Sequence, residues 1–269
     1  MKRSYFIFLI ISFLFNLQKA TAQENPISDS IYLTARPDSI LFSGANTAII
    51  VIDMQNDFGA KGGMFDRAGI DISSIQKVVN PVSNVLTAAR ERGIQIIYLK
   101  MGFKPDLSDL GSTEFTTRMK RARRLHIGDT IIAPNGSKGR ILVQDTWNTD
   151  ILSELKPQSN DIIIPKNRFN GFYQTSLDSI LRSLGKKYLI LTGCTTSICV
   201  ESTARDASFR GFMPIVLADC TAEPIGNKLP RTNHEASLLV IQTSFGLVSS
   251  SNEFIRGLGQ TVKANKKPL

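Results

Sequence analysis

Apolar runs alternate with amphipathic stretches along most of this chain. Thr47-Ala48-Ile49-Ile50-Val51-Ile52 is a continuous β-branched run of the kind buried on both faces of a parallel sheet, and it ends at Asp53. Residues from Ile75 to Arg92 carry apolar positions at helical spacing, and Gly93 separates them from a second strand, Ile94 to Leu99. A third strand is predicted at Asp161 to Ile164, followed by Pro165 and Lys166, and a fourth at Lys187 to Leu191. Helices are predicted near Thr149–Leu155, from Leu177 to Leu184, and from Glu201 to Arg210, the last stopping before Gly211. Met213 to Ala218 and Leu239-Val240-Ile241 bring the strands to about six. Alternation of this kind implies a parallel sheet covered by helices on both faces. Residues 102 to 145 are less regular and read as an insertion over a site. The polar stretch up to about Phe42 reads as a loose arm.

The first 22 residues break the pattern. Lys2 and Arg3 precede an apolar core from Tyr5 to Phe15, and Ala20-Thr21-Ala22 supplies small residues at a cleavage site. That is the layout of a secretory signal peptide, with cleavage expected before Gln23 and export to a periplasm or the medium. The alternative is an uncleaved anchor, for which a core of about eleven residues is short. No cysteine follows the cleavage site, which argues against a lipid-modified N-terminus. The expected organisation is therefore a leader over residues 1–22, an arm over 23–43, one domain over 44–260 and a polar tail over 261–269.

Losing Lys2, Arg3 and Lys19 with no acid lowers the formal charge from +9 to +6. Part of the excess sits in Arg118-Met119-Lys120-Arg121-Ala122-Arg123-Arg124. Interleaved aromatics are absent from that run, so it reads as a solvated helix face. Neither a nucleic-acid partner nor, after leader cleavage, a stable membrane association is expected.

Three cysteines, Cys194, Cys199 and Cys220, are too few for a disulfide scaffold and lack the spacing of a metal knuckle. The two histidines, His126 and His234, lie far apart, so a Ser-His-Asp or histidine–zinc site is poorly supplied. Cys199 falls where the fourth strand turns into a helix. There Thr195, Thr196 and Ser197 could cap, and the helix N-terminus favours a thiolate. A small apolar core cysteine is the alternative. In parallel α/β folds, functional groups gather at the carboxyl ends of strands. Asp53 and Lys166 stand at such ends, and with Cys199 they would offer a base, a cation and a nucleophile. Spacing alone leaves open a merely structural Asp53–Lys166 ion pair.

Three blocks decide between these readings. Val51 to Phe58, Pro165 to Phe172, and Gly193 to Asp206 together resemble the isochorismatase-like cysteine hydrolases, in the family's order and over roughly residues 44–256. The resemblance implies a three-layer α/β/α sandwich on a six-stranded parallel sheet and a Cys199–Asp53–Lys166 triad. It also implies a non-proline cis peptide between Cys194 and Thr195, and an oxyanion hole from the backbone N–H groups of Thr195 and Cys199. It points to a cysteine amidohydrolase acting on a small amide, ureide or carbamoyl compound, and to a homo-oligomer.

Thr175 to Arg182, Cys199 to Thr203 with Arg205-Asp206, and the Trp147 segment are similar to the ureidoacrylate amidohydrolases of this family. Phe58, Phe169 and Met101 depart from that branch, in which polar side chains are expected at these positions, so the resemblance supports the chemistry better than the substrate. Family members with a metal carry histidines after the second strand. Lys100 to Asp106 has none, so neither a catalytic metal nor another cofactor is expected. Phe58, Met101, Phe103, Trp147, Phe169 and Tyr173 are candidates for a substrate pocket, with core packing as the alternative for each. An isochorismatase-type hydrolase of another small substrate and a non-catalytic exported binding protein remain as other readings.

Overall fold

Strand β3 (Thr47–Ile52) is buried at all six positions, and its side chains alternate between two separate apolar clusters. Ile49 and Val51 join a cluster with Val82, Val85 and Leu86, whereas Ala48, Ile50 and Ile52 face Leu177, Leu181 and Ala204. A strand covered on both sides needs apolar residues at every position, which is why its sequence is an unbroken run. The computed structural model describes residues 29–111, 123–226 and 230–259. The predicted leader, the C-terminal tail and most of the basic run lie outside the described residues; Arg123 and Arg124, at the end of that run, are exposed.

The central sheet has six strands, all parallel. With β1 (Ser30–Leu33) and β2 (Ile40–Ser43) preceding β3, the sheet continues through β4 (Gln95–Met101). After β5 (Thr130–Ile132) and β6 (Lys138–Arg140) come β7 (Ile162–Lys166), β8 (Tyr188–Cys194), β9 (Met213–Ala222) and β10 (Leu247–Ser249). The spatial order is β10-β9-β8-β3-β4-β7. Pro165, which cannot donate to a ladder, lies in the edge strand β7.

Short helices α1 (Asn56–Gly59) and α2 (Met64–Arg67) follow β3, and the long α3 (Ser73–Glu91) precedes β4. On the other face lie α4 (Leu177–Ser183), α5 (Glu201–Phe209) and α6 (Asn233–Ser244), while α7 (Ser251–Gly259) joins the α3 side. This is the expected three-layer α/β/α sandwich.

Three expectations are corrected. Leu239-Val240-Ile241 is not a strand but part of α6, and the sixth strand is β10. A short apolar run does not distinguish the two states. The deciding signal is the capping box upstream, in which the Thr232 hydroxyl accepts from the Glu235 N–H and the Glu235 carboxylate from the Thr232 N–H. The arm is not loose from residue 30 onward. There β1 and β2 form an antiparallel hairpin that buries Ile31, Leu33 and Phe42 in the cluster containing Phe254 and Leu258 of α7. Finally, the helix near Thr149–Leu155 is two single 3₁₀ turns, Trp147–Thr149 and Ser153–Leu155.

Candidate active site

The chain runs β3 to β4 to β7 on one side of the sheet, then returns through β8, β9 and β10 on the other. The direction therefore reverses between β3 and β8, and in parallel sheets a crevice opens outside the carboxyl ends at such a point. Asp53 follows β3 directly, and the turn carrying Cys199 follows β8.

Asp53 has φ 54°, a left-handed conformation unusual for a residue with a side chain. It is held from both sides. Its N–H donates to the Leu99 carbonyl at 3.0 Å, and its own carbonyl accepts from the Gln55 N–H at 2.8 Å and the Cys194 thiol at 3.2 Å. Lys166, the last residue of β7, reaches past Met101 of β4 and donates to Oδ2 of Asp53 at 2.7 Å. Its ammonium also donates to the carbonyls of Arg168 (3.2 Å) and Phe169 (3.3 Å). Both side chains are inaccessible to solvent, and Oδ1 of Asp53 is buried without a conventional hydrogen bond.

Burial pushes the Asp53 carboxyl above its usual range, against the pull of the Lys166 ammonium and of hydrogen bonding with the Cys199 thiol. Burial also works against the Lys166 ammonium. The charges of Asp53 and Cys199 outweigh it, so this lysine stays protonated. The three groups thus form one coupled set.

The turn between β8 and α5 requires particular residues. Gly193 has φ 113°, and a Cβ there would stand 2.0 Å from the Ile52 carbonyl oxygen, so only glycine fits between the strands. The Cys194–Thr195 peptide is cis. Residues Thr196–Val200 then make a π-helical turn that continues into α5. None of the three small hydroxyl residues caps a helix by its side chain. Thr196 instead bonds Nδ1 of His234 at 2.9 Å, and the Ser197 hydroxyl donates to Glu223. Glu223, buried at the end of β9, also accepts from the Ser197 N–H at 2.9 Å. On the opposite flank, Thr203 donates to the Cys199 carbonyl at 2.7 Å and accepts from the Gly171 N–H at 3.0 Å. The turn carrying Cys199 is therefore clamped from the residue after β9, from α6 and from the segment after β7.

Above the turn lies a cavity of about 460 Å³. Cys199 and Thr195 line it, together with Phe58, Met101, Phe103, Phe169 and Tyr173 from the predicted set. Trp147 does not. It sits in a 3₁₀ turn whose inward-facing residues are Asn148 and Thr149, and it contributes its backbone carbonyl to Asn56. The insertion does cover the site: Leu110, Leu125, Ile127 and Leu142 complete the wall.

Several residues that shape the site went unread in the sequence. Besides Glu223 and His234, Asp57 is buried and accepts from the N–H groups of Met64 (2.9 Å) and Leu142 (2.5 Å) and from Nδ2 of Asn148 (2.6 Å). Burial pushes its carboxyl up to about 6, against the hydrogen bonds from Asn148, Leu142 and Met64. The amide of Gln55 spans β4 and the first 3₁₀ turn, donating to the carbonyls of Met101 and Thr149 at 2.9 Å and accepting from the Met101 N–H at 2.7 Å. An acid or amide just after a strand is the only local sign of the Asp57, Gln55 and Glu223 roles; their partners lie up to 94 residues away.

None of the three cysteines is in a disulfide, and all three are buried. Burial, reinforced by neighbouring acidic groups, raises the Cys194 and Cys220 thiols well above the ordinary range. Among the described residues no cluster of three or more His, Cys, Asp or Glu side chains could hold a metal ion.

A sequence model of the isochorismatase domain matches residues 47–253. The chain belongs to the isochorismatase-domain family. Curated relatives include a ureidoacrylate amidohydrolase, RutB, of Serratia proteamaculans (strain 568), 36% identical over 251 residues and covering 90% of this chain and 94% of its own. The corresponding protein of Pantoea ananatis (strain LMG 20103) is 36% identical over 233 residues, with 87% and 90% covered. Among solved structures, a cysteine hydrolase from Pseudomonas syringae pv. phaseolicola 1448A superposes with a TM-score of 0.66 at 27% identity, over 81% of this chain and 94% of that one. This isochorismatase-family hydrolase thus carries its coupled Asp–Lys–Cys set at the switch point of the family fold.

Proposed function

We propose that the chain is a cysteine-dependent amidohydrolase that cleaves the C–N bond of a small amide, ureide or carbamoyl compound. The observation that carries this reading is the convergence of the buried Asp53 and Lys166 with Cys199, which lines a cavity large enough for a small molecule. The relatives named as amidohydrolases support the same bond type.

In this scheme the Asp53 carboxylate takes the proton of the Cys199 thiol, a transfer favoured by the raised affinity of that buried carboxyl for a proton. The thiolate attacks the carbonyl carbon, and the backbone N–H groups of Thr195 and Cys199 hold the developing oxyanion. The C–N bond breaks as Asp53 returns its proton to the departing nitrogen, leaving a thioester or thiocarbamate on Cys199. Water, deprotonated by Asp53, then adds to that acyl carbon; the C–S bond breaks and the thiolate is regenerated. Lys166 keeps one positive charge beside the pair throughout, which limits the cost of ionising two acids in a dry site.

The predicted leader extends the proposal to an exported enzyme. The test is ammonium release from a panel of small amides, ureides and carbamoyl amino acids by the purified protein and its Cys199→Ala variant. Release should require Cys199, with activity lowered at least a thousandfold in the variant while its circular dichroism spectrum is unchanged. Equal release by both proteins would overturn the scheme.

A further inference from the structure

Among the described residues, the larger part of the lining of the cavity over Cys199 is hydrocarbon. From the sheet side come Phe58, Met101 and Phe103, and the insertion adds Leu125, Ile127 and Leu142 opposite them. Polar side chains line the rest: Thr195, Ser202 and Tyr173, and in the segment after β7 Asn167, Arg168 and Asn170, which make bonds within the protein. Asn167 donates its amide to the Asp109 carboxylate at 2.9 Å. Nη1 of Arg168 donates to the carbonyls of Asp109 at 2.8 Å and of Asn167 at 2.7 Å. Asn170 donates to Asp206 at 2.6 Å and accepts from the Phe172 N–H at 2.8 Å. These bonds fasten the segment to the insertion and to α5. They therefore serve the wall more than a ligand.

A polar group desolvated against the hydrocarbon part of that wall, between the sheet side and the insertion, loses its water without gaining a partner, which costs free energy, whereas an apolar group is stabilised by the same transfer. We infer that this site takes an uncharged primary amide with a bulky hydrocarbon body, aryl or alkyl, whose carboxamide carbon lies at Cys199 and whose body fills the cavity under the insertion. The inference rests on the amidohydrolase reading above and narrows its substrate class. The balanced reaction is R–CO–NH₂ + H₂O → R–COOH + NH₃, with R the hydrocarbon body.

The test compares kcat/KM of the full chain along the series acetamide, butyramide, hexanamide and 3-phenylpropanamide, with succinamic acid as a charged counterpart. Burial of each methylene should raise kcat/KM about fourfold, with 3-phenylpropanamide at least fiftyfold above acetamide and succinamic acid below butyramide. A flat or falling series, or succinamic acid as the best substrate, would overturn the inference. Cysteine-dependent cleavage of that acid would still leave the amidohydrolase reading in place.

Calorimetric binding to Cys199→Ala separates the two claims without turnover. Binding of 3-phenylpropanamide in preference to succinamic acid, with a negative heat-capacity change, supports the apolar site even if no amide is cleaved. In that case the amidohydrolase reading alone falls. Absence of both binding and cleavage would overturn both.

Discussion

Asp53 and Lys166 each have a pKa displaced by burial and by the other, and neither is stable there alone. Removing one member of a buried pair leaves an unpaired charge and typically costs 3–5 kcal/mol. In Lys166→Met the orphaned Asp53 can avoid that cost only by keeping its proton. The variant should therefore lose little stability at pH 5 and about 3 kcal/mol or more at pH 8, read by urea denaturation at both values. An equal loss at the two would show that the carboxylate does not need the ammonium. The three cysteines differ in the same local terms. Cys194 and Cys220 have thiols raised by burial, whereas Cys199 borders the cavity and interacts with Lys166. Under native conditions iodoacetamide should label one thiol per chain, found at Cys199 by peptide mass spectrometry; labelling of Cys220 at a similar rate would contradict this arrangement. Of these features, the sequence displayed the residue types at the strand ends. Which oxygen meets which nitrogen was settled by the β3–β4–β7 register.

The element that matters most is the π-helical turn 196–200, because it aims Cys199 and has little local support of its own. The sequence suggested self-capping by Thr195, Thr196 and Ser197, yet two of those hydroxyls bond to Glu223 and His234 on other elements. Glu223→Gln keeps the size but gives up a charge-assisted bond of about 1.5–3 kcal/mol. It should lower kcat/KM between about tenfold and a hundredfold with an unchanged circular dichroism spectrum, and its pH profile should keep its shape because the coupled Asp53–Lys166–Cys199 set is intact. A shifted profile would mean that Glu223 belongs to the titrating set. The α6 region shows why such contacts were hidden: residues 239–241 have strand-like composition, and the capping box at 232–235 outweighs it.

At the scale of the molecule, Asp57 ties the insertion to the core. It links the end of α1 to Met64, Leu142 and Asn148, two of which line or border the cavity. Its folded-state carboxyl, pushed up to about 6, lies above the ordinary value near 3.8. The folded state therefore holds this proton between those values while the unfolded chain has released it. Stability from this group is fully present below about pH 4 and is lost as pH rises through about 6. Asp57→Asn should remove that dependence. The difference in unfolding free energy between the parent and Asp57→Asn should change by about 2–3 kcal/mol between pH 4 and pH 7, measured by denaturant titration, and a constant difference would refute the assignment.

Periodicity alone determined much of this protein. Unbroken apolar runs required strands buried on both faces, alternating helices required a parallel sheet, and the residues left at the strand ends marked where chemistry would gather. Those are short-range consequences of burial and backbone geometry, written into neighbouring residues. The tertiary structure decided everything that depends on partners far along the chain. It folded residues 30–43 into a hairpin over α7, moved the sixth strand to β10 and turned Trp147 away from the cavity. It also placed Glu223, His234 and Asp57 behind the site. Hydrogen bonds and ion pairs of that kind join residues whose distance in sequence says nothing of their distance in space, so only the packed sheet could bring them together.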